Sequence, residues 1–512
     1  MSQSVLDSGD DASAAPSKAI GSILYLVALL LLLLCLMPPD GVLSDNEENY
    51  FALAAHAVSS GSVPPNTAIY DASLHRALTD WLLGGLIAAV GFESAQIITR
   101  SLAAVAYAFL LRALFRRFGL SALDAVLVIL VFALLGQTLM GGEWLFRGFE
   151  AKVAAYGLVL AGLYRAASRR ALTGTVLLFA AATYFHFLVG GFWFVAAMAA
   201  RLTEDRRDLR PVASAAAGYL LIVAPLFALI AWTRFADARG FVQPADMPSP
   251  DVIYSIIREP WHGAPFLSWE SFRTQWLPGS LLAAVMLIAC LVMARKPKAG
   301  RWRATALWLA GLLAYLLLAL AASFAERETG VLGKFYLFRP AALTLLLCLA
   351  FAMAWLGALR PRRWTAVRLL ALAALAPFFL LGTAERIAAD RQRAALAGEK
   401  RALADVLAQN AAPGSVVLID PQIEWSFLDF ERRSGHPTLV TFKFMPTDDP
   451  GIVEWYRRME FRRLVFAQGC PQHPAYPIDF LLTTPERAPV LVGSCGEAIY
   501  ATDQLALWRV AR

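Results

Sequence analysis

Predominantly apolar runs alternate with short polar segments along the first three quarters of the chain. Ile20 to Met37 is the first such run, and as a helix its eighteen residues would rise about 27 Å, enough to span a bilayer core. Comparable runs follow it. The pattern predicts eleven membrane-crossing helices, over residues 20–37, 97–115, 121–137, 151–167, 172–185, 186–202, 212–232, 278–294, 304–323, 340–358 and 365–383. We therefore expect an α-helical polytopic membrane protein.

The composition agrees with this class. Of the 512 residues, 58% are hydrophobic and only 17% are charged, whereas soluble domains average about 25% charged residues. The net charge of +7 first suggests an anionic partner. Nineteen Lys and Arg, with only three acids, lie in five clusters at the ends of apolar runs, at 112–117, 165–170, 201–210, 295–303 and 360–368. This distribution follows the positive-inside rule, and we predict no nucleic-acid partner.

The basic clusters also predict orientation. With eleven crossings, all five fall on one side, which the rule identifies as cytoplasmic. Residues 1–18 are then a disordered cytoplasmic tail, and residues 19–383 form the transmembrane domain. Its outer loops are residues 38–96, 140–150, 234–277 and 324–339. Within the first outer loop, the apolar stretch Thr79 to Val90 is too short to cross and predicts a helix in the membrane interface.

Composition changes near Glu385, where charged residues become frequent. We predict that residues 384–512 form a small extracytoplasmic α/β domain, with a helix over 384–409. Apolar β-forming runs predict strands over residues 415–420, 438–442, 463–466, 480–483 and 490–492. Cys470 and Cys495 belong to this domain. Oxidation is possible there, and the sequence leaves both a disulfide and two free thiols open.

Three carboxylates follow the first crossing in the segment LSDNEENY: Asp45, Glu47 and Glu48. One interpretation is structural, because Ser44 and Glu47 have the spacing of a capping box at a helix start. The other is chemical, since acids this close to a bilayer are suited to act as a general base. Each of the three carboxylates remains a catalytic candidate.

A second candidate group lies in the outer loop before the tenth crossing. Lys334 and Arg339 stand five residues apart with aromatic residues between them, Tyr336 among these. Cations at headgroup depth would bind a lipid-linked phosphate. A cationic and aromatic interface anchor explains the same pattern, and both interpretations stay open.

Further candidates for substrate binding are Glu143, Arg147 and His186. Glu143 and Arg147 stand four apart, so a helix there would pair them, and the loop is suited either to sugar or metal binding or to a structural ion-pair cluster. His186 lies at a predicted outer turn, where it is either solvated or in contact with a ligand. Asp45, Glu48 and His186 could supply ligands to a divalent metal, although their spacing does not require one. The cofactor is therefore unknown.

Three segments taken in order, DNEENY, LHRALTDWLLGGLIAAVGF and ITRSLAAVAYAFLLRALFRRFG, resemble the GT-C glycosyltransferases. That family includes aminoarabinose transferases and protein O-mannosyltransferases. In it, an acid pair with a Tyr soon after follows the first helix, then interfacial helices, then a crossing that opens with Arg. The family's acids often precede the Tyr by four and three residues, which here are Asn46 and Glu47 rather than Asp45.

The resemblance implies an inverting glycosyltransferase of the bacterial inner membrane. Its donor would be a polyprenyl-phosphate sugar, its acceptor a lipid, polysaccharide or surface glycan, and its environment the membrane lipids. The amino terminus would be cytoplasmic and the carboxy-terminal domain periplasmic. Two alternatives stay open: a flippase or transporter of lipid-linked glycans, and a non-catalytic membrane assembly protein.

Overall fold

The computed structural model of the protein describes residues 11–59, 76–167, 172–237, 240–296, 302–359, 361–491 and 494–511. Its first part is built from helices, most of them apolar. In chain order, the first nine in the described residues are α1 (Asp11–Leu36), α2 (Asp45–Val58), α3 (Ala77–Val90), α4 (Phe92–Phe118), α5 (Ala122–Leu134), α6 (Ala151–Ala166), α7 (Thr173–Phe185), α8 (Phe187–Glu204) and α9 (Leu209–Asp237).

Short helical segments lead from α9 into the second half of the bundle. Two π-helices, Ile253–Arg258 and Phe272–Trp276, lie among α10 (Pro250–Val252), α11 (Pro260–Gly263) and α12 (Trp269–Ser271). Four long helices follow: α13 (Leu277–Arg295), α14 (Trp302–Ala325), α15 (Ala341–Leu359) and α16 (Pro361–Ala395). A 3-10 turn, Leu332–Phe335, precedes α15.

Seven helices within the described residues are long and apolar enough to cross a membrane: Phe92–Phe118, Phe187–Glu204, Leu209–Thr233, Trp269–Arg295, Trp302–Ala325, Ala341–Ala358 and Trp364–Ala389. The other four predicted crossings coincide with α1, α5, α6 and α7. The apolar part of α1 is Ile20–Leu36, and α5, α6 and α7 have 13, 16 and 13 residues. The predicted polytopic helical architecture is confirmed, and those four remain predicted crossings.

Two features of the amino-terminal part refine the expectations. The first helix begins at Asp11, so residues 11–18 are helical rather than a disordered tail, while residues 1–10 lie outside the described residues. The alanines in this segment favour extension of a helix that the apolar run has already nucleated. The predicted interfacial helix is α3, which packs against α2. A Cβ placed on Gly84 would lie 2.1 Å from the Ala54 carbonyl oxygen, so only glycine permits this approach.

The carboxy-terminal part is a small α/β domain. Its helices in the described residues are α17 (Ala397–Asn410), α18 (Phe430–Ser434), α19 (Asp449–Gln468) and α20 (Ala488–Leu491). Its strands are β1 (Val417–Ile419), β2 (Phe480–Thr483), β3 (Gly496–Ala501) and β4 (Ala506–Val510). The sheet has the order β1-β2-β4-β3, with β1 parallel to β2 and the other neighbours antiparallel.

Alternating residues of β1 and β2 pack on opposite faces of this sheet, as the two-residue period of a strand requires. Val417 and Leu482 pack toward Leu407 of α17, whereas Leu418 and Leu481 belong to a second cluster that includes residues of α19. Residues of α17 and α18 therefore cover one face, and residues of α19 and α20 cover the other. A disulfide between Cys470 and Cys495 joins the segment after α19 to the start of β3 and resolves the alternative left open by the sequence.

Strand prediction was correct for two runs: residues 415–420 contain β1, and residues 480–483 are β2. It was wrong for residues 463–466, which lie inside α19, and for 490–492, where α20 ends at Leu491 and residue 492 lies outside the described residues. At 438–442 only Thr438 forms a bridge, with Val417. Short apolar runs do not distinguish a strand from one face of a buried helix. The predicted boundary near residue 384 falls inside the continuous helix α16.

Candidate functional site

Helix α2 carries the three acids and begins with the capping box that the sequence indicated. Ser44 is the N-cap residue, and its backbone N–H donates to Glu47 Oε2 at 2.8 Å. The Glu47 N–H donates in return to Ser44 Oγ at 3.4 Å. This arrangement satisfies backbone donors that have no partner inside the helix. The structural interpretation of Glu47 is therefore correct at the level of the helix.

Tertiary contacts occupy the rest of the Glu47 carboxylate, which is fully buried. Arg100, at the start of the predicted second crossing, donates from Nε to Oε1 at 2.9 Å and from Nη2 to Oε2 at 2.5 Å. The Phe149 N–H donates to Oε1 at 2.7 Å. A Cβ on Gly148 would lie 2.9 Å from Ser44 Oγ, so a glycine is needed for the second outer loop to approach this closely. Both Glu47 oxygens are engaged, which makes this residue a structural anchor.

Glu48 joins the membrane domain to the carboxy-terminal domain. Arg432 donates to its two oxygens at 3.1 and 2.7 Å, and Arg432 also binds Glu93 at 2.9 Å. Burial raises the pKa of the Glu48 carboxyl above its ordinary value, while the charge of Arg432 acts in the opposite direction. Glu48 is thus an interdomain ion-pair partner.

Asp45 is the least committed of the three acids. Its side chain is 35% exposed, and its Oδ2 lies 3.7 Å from Nζ of Lys443 in the carboxy-terminal domain. The same Lys443 ammonium donates to Asn46 Oδ1. Burial lowers the pKa of Lys443, and the carboxylate of Asp45 opposes that change. Among the three candidates, Asp45 has the most exposed carboxylate, at 35% against 0% for Glu47 and 10% for Glu48.

The second outer loop does not form the helix that a Glu143–Arg147 pair would require. Gly141 and Gly142 have positive φ values of 74° and 63°, which redirect the chain out of a helical path. Arg147 is exposed. Glu143 is buried instead beside Lys152, whose Nζ lies 3.2 Å from Glu143 Oε2. The sequence therefore identified a charged loop correctly and gave the wrong partner for Glu143.

Lys152 is the centre of a buried charge cluster. Besides Glu143, it binds Glu150 Oε1 at 2.9 Å, and its ammonium lies 4.0 Å from the centre of the Trp144 ring. Asn46 donates to the same Glu150 oxygen at 3.4 Å. This contact connects the cluster back to α2, beside Asp45.

Arg339 lies at the other end of the cluster. Its Nη2 is 3.5 Å from Glu143 Oε1, and its Nη1 donates to Nε2 of His186 at 3.1 Å. An arginine can only donate, so His186 Nε2 acts as an acceptor and carries no proton in this contact. The guanidinium lies 4.4 Å from the centre of the Tyr336 ring. Four predicted substrate-binding residues, Glu143, His186, Tyr336 and Arg339, are thereby brought together.

Four further charged or titratable residues, which were not among the predicted site residues, complete the site: Arg258, Glu259, His262 and Lys443. Tyr336 donates to Glu259 Oε2 at 2.5 Å, and Arg258 binds Glu259 Oε1 at 2.6 Å. Burial alone would raise the pKa of Glu259, but Arg258 and then His262 lower it to about 2. His262 Nδ1 lies 2.6 Å from the Gly141 carbonyl oxygen, and burial lowers the pKa of this imidazole. Arg258, Glu259 and His262 lie in the predicted outer loop 234–277, whereas Lys443 lies in the carboxy-terminal domain.

Lys334 lies apart from Arg339, although only five residues separate them. Its Nζ binds Asp251 at 2.5 Å and Asp449 of α19 at 3.1 Å. Tyr336 has φ 47°, a left-handed conformation that turns the chain between the two cations. The predicted pair of phosphate-binding cations is therefore split, with Arg339 in the buried cluster and Lys334 at the domain junction.

The suggested metal ligands do not converge. Asp45 contacts Lys443, Glu48 contacts Arg432, and His186 contacts Arg339. In the parts of the chain that the structure describes, no group of three or more His, Cys, Asp or Glu residues is placed to hold a metal ion. These three residues do not fit a shared divalent metal.

A cavity of about 150 Å³ opens beside Asp45, between α2 and the carboxy-terminal domain. Its lining includes the acids Glu48 and Asp429 and the cation Arg433. Trp425 also lines it and is 49% exposed. An exposed aromatic ring next to charged hydrogen-bonding groups suits the flat face and hydroxyl groups of a sugar.

Comparisons with known proteins match the chain to a family model and to solved structures. A family model described as a domain of unknown function, DUF6798, matches residues 399–461, within the carboxy-terminal domain. The crystal structure of ArnT from Cupriavidus metallidurans bound to undecaprenyl phosphate is 15% identical, with 95% of this chain and 97% of that chain covered and a TM-score of 0.39. No curated protein matches the chain. At this TM-score residues do not correspond one to one, so the site rests on the contacts described above.

Proposed function

We propose that this protein is an integral-membrane inverting glycosyltransferase that uses a polyprenyl-phosphate sugar. One observation carries the proposal: a buried charge cluster containing Arg339 extends to the partly exposed Asp45 through Glu143, Lys152, Glu150 and Asn46. A cationic group and a carboxylate thus lie in one connected site. The resemblance of the acid, interfacial and Arg segments to GT-C enzymes points to the same chemistry.

The reaction needs two groups that the site supplies. A base must take the proton of the acceptor hydroxyl, and we assign this role to Asp45. A cation must stabilise the phosphate that leaves, and we assign this role to Arg339, which is held by Glu143 and His186. The planar guanidinium binds phosphate with two parallel hydrogen bonds. Tyr336 fixes the position of that guanidinium through its ring.

The acceptor would approach from the cavity beside Asp45. Trp425 offers a stacking surface there, and the carboxylates and cations around it offer hydrogen bonds to hydroxyl groups. A glycan or the sugar headgroup of a lipid is the class of acceptor that fits. A phosphate leaving group needs no protonation, so the site needs no second carboxylic acid, and Arg339 supplies positive charge to the phosphate.

We place the reaction on the extracytoplasmic face of a bacterial inner membrane, with a cytoplasmic amino terminus and a periplasmic carboxy-terminal domain. The basic clusters support this orientation through the positive-inside rule. The Cys470–Cys495 disulfide supports it independently, because structural disulfides persist in oxidising compartments. On that face, a sugar donor must arrive on a lipid carrier rather than as a nucleotide.

The test is sugar transfer by the full chain in liposomes that contain polyprenyl-phosphate sugars labelled in the sugar, with membrane extract as acceptor. Asp45→Asn should lower the transfer rate roughly 10²–10⁴-fold, the usual contribution of a general base. Glu454→Gln is the matched control, because Glu454 is 36% exposed and also pairs with a cation, Arg458, but lies outside the site. Full activity of Asp45→Asn would remove the proposed base, and labelled lipid movement without sugar transfer would favour a flippase.

A further inference from the structure

We propose that the end of the helix bundle opposite the charge cluster binds one anionic glycerophospholipid. Part of an acyl chain would fill a cavity between the helices, and the phosphodiester would bind Arg117 and Arg201. The proposal does not depend on the glycosyltransferase function. It assigns a ligand to a cavity that the proposed reaction does not use.

The cavity has a volume of about 210 Å³ and lies where the last turns of α4, α6 and α8 meet the first turns of α14. Helix α4 is 27 residues long, about 40 Å at 1.5 Å per residue, so its last turn is far from the Arg100 end. Most of the lining is apolar, as Leu114, Leu163 and Leu347 illustrate. The volume equals roughly seven water molecules at about 30 Å³ each, which suits one segment of an acyl chain.

Two arginines lie at this apolar cavity. Arg117 is exposed at the end of α4, where its side chain is accessible to a headgroup. Arg201 is only 8% exposed, pairs with Asp208 at 2.5 Å, and has one guanidinium donor, Nε, without a hydrogen-bond partner. Buried polar groups normally find such partners. The two arginines match the phosphate of a phospholipid, and the apolar cavity matches its acyl chain.

The charge of the surrounding surface selects the headgroup. Glu204 lies on the lining and partly offsets the arginines. The five basic clusters at this predicted cytoplasmic side nevertheless contain nineteen Lys and Arg against three acids. Such a surface attracts anionic lipids. Trp302 and Trp308 also line the cavity, and tryptophan is enriched at the depth of lipid headgroups.

A lipid matches this site better than free phosphate does. Inorganic phosphate would contact the arginines but leave the apolar cavity empty, and a hydrocarbon alone would leave the cations without an anion. A phosphodiester attached to an acyl chain matches both parts. Because the cavity lies between helix ends rather than in a crevice for a long chain, a two-chain glycerophospholipid is our choice over a polyprenyl phosphate.

Native mass spectrometry of the delipidated full chain tests the proposal, with palmitoyl-oleoyl phosphatidylglycerol as probe and the phosphatidylcholine of the same chains as the zwitterionic comparison. We expect one phosphatidylglycerol to bind about tenfold more tightly than phosphatidylcholine. Arg117→Gln should weaken it about fivefold, the effect of one cation near a lipid surface. Arg116→Gln is the matched control, because Arg116 is the exposed neighbour that does not line the cavity.

Ala200→Trp separates the cavity from the surface charge, because it fills the lining without removing an arginine. This variant should lose the bound lipid while keeping the wild-type elution position in size-exclusion chromatography. If it does not fold, Thr305→Trp fills the same cavity from α14. Equal binding of the two lipids, unchanged binding in both Arg117→Gln and a folded cavity-filling variant, or displacement by inorganic phosphate or polyprenyl phosphate at equal concentration would each overturn the proposal.

Discussion

Glu47 and Asp45 lie two residues apart on α2. Removing the charge of Glu47 should destabilise the fold, whereas removing the charge of Asp45 should affect only sugar transfer. Glu47→Gln keeps the size of the side chain but replaces one acceptor oxygen with an NH₂ donor. In the wild-type protein, four N–H donors face the two Glu47 carboxylate oxygens: two from Arg100 and the backbone N–H groups of Ser44 and Phe149. In either orientation of the side-chain amide of the variant, its NH₂ group faces N–H donors instead of acceptors. The change therefore removes accepted hydrogen bonds and leaves the Arg100 charge without its main counterion.

The expected loss of stability in each variant follows from the burial of the side chain that is changed. Arg100 and Glu47 have side chains 4% and 0% exposed, and removing one partner of such a buried ion pair costs about 3–5 kcal/mol. Asp40, 3.6 Å from Arg100, offsets only part of this, because it is 33% exposed. Asp45→Asn affects a contact at 3.7 Å on a side chain that is 35% exposed, where exposed pairs contribute about 0–1 kcal/mol.

The assay is the apparent unfolding midpoint of each full-length variant in one detergent, followed by tryptophan fluorescence, together with the yield of protein that elutes at the wild-type position. Glu47→Gln should lower the midpoint by several degrees and reduce the yield. Asp45→Asn should leave both near wild type and affect only transfer. A Glu47→Gln protein as stable as wild type, but inactive, would refute the structural assignment and restore Glu47 as the base.

Three further outcomes are expected. Arg432→Ala leaves the Glu48 carboxyl buried without its counterion and should lower the free energy of unfolding by about 3–5 kcal/mol at pH 8. Because burial raises the pKa of Glu48, protonation of this carboxyl should restore much of that stability toward pH 5. Thermal unfolding at both pH values measures the difference. Arg339→Ala should lower sugar transfer about 10²–10³-fold whereas Lys334→Ala, which breaks a junction contact, should lower it far less; equal losses would contradict the separation of the two cations. Cys470→Ser should cost about 2–4 kcal/mol and raise the protease sensitivity of the carboxy-terminal domain, and a reducing agent should give the wild-type protein the same sensitivity.

Local sequence signals predicted the local structure well. The capping box of Ser44 and Glu47 involves neighbours in the chain, and the structure contains it. The apolar runs gave helices at every predicted crossing, since about 20 apolar residues suffice to define one. In contrast, residues 463–466 were assigned to a strand because a four-residue run carries no usable period.

The site depended on contacts that no local pattern encodes. Glu48 meets Arg432 across 384 positions, and Lys443 meets Asn46 across 397. Acids and bases this far apart in the chain become partners only once the two domains pack together. The sequence therefore predicted one residue of several ion pairs but not its partner. It paired Glu143 with Arg147 because the spacing of the two residues was the only available evidence.

Polar contacts join the carboxy-terminal domain to the membrane domain at several separate places, among them Arg432 on Glu48, Lys443 on Asn46 and Asp449 on Lys334. Ile253, from the segment after α9, is also buried in the core of the carboxy-terminal domain. A domain held at several separated places cannot swing about any one of them, so the loss of a single ion pair should weaken the attachment without releasing the domain. The Lys334–Asp449 pair, with side chains 22% and 39% exposed, is more accessible to solvent than the Arg432–Glu48 pair, and salt should therefore weaken it first.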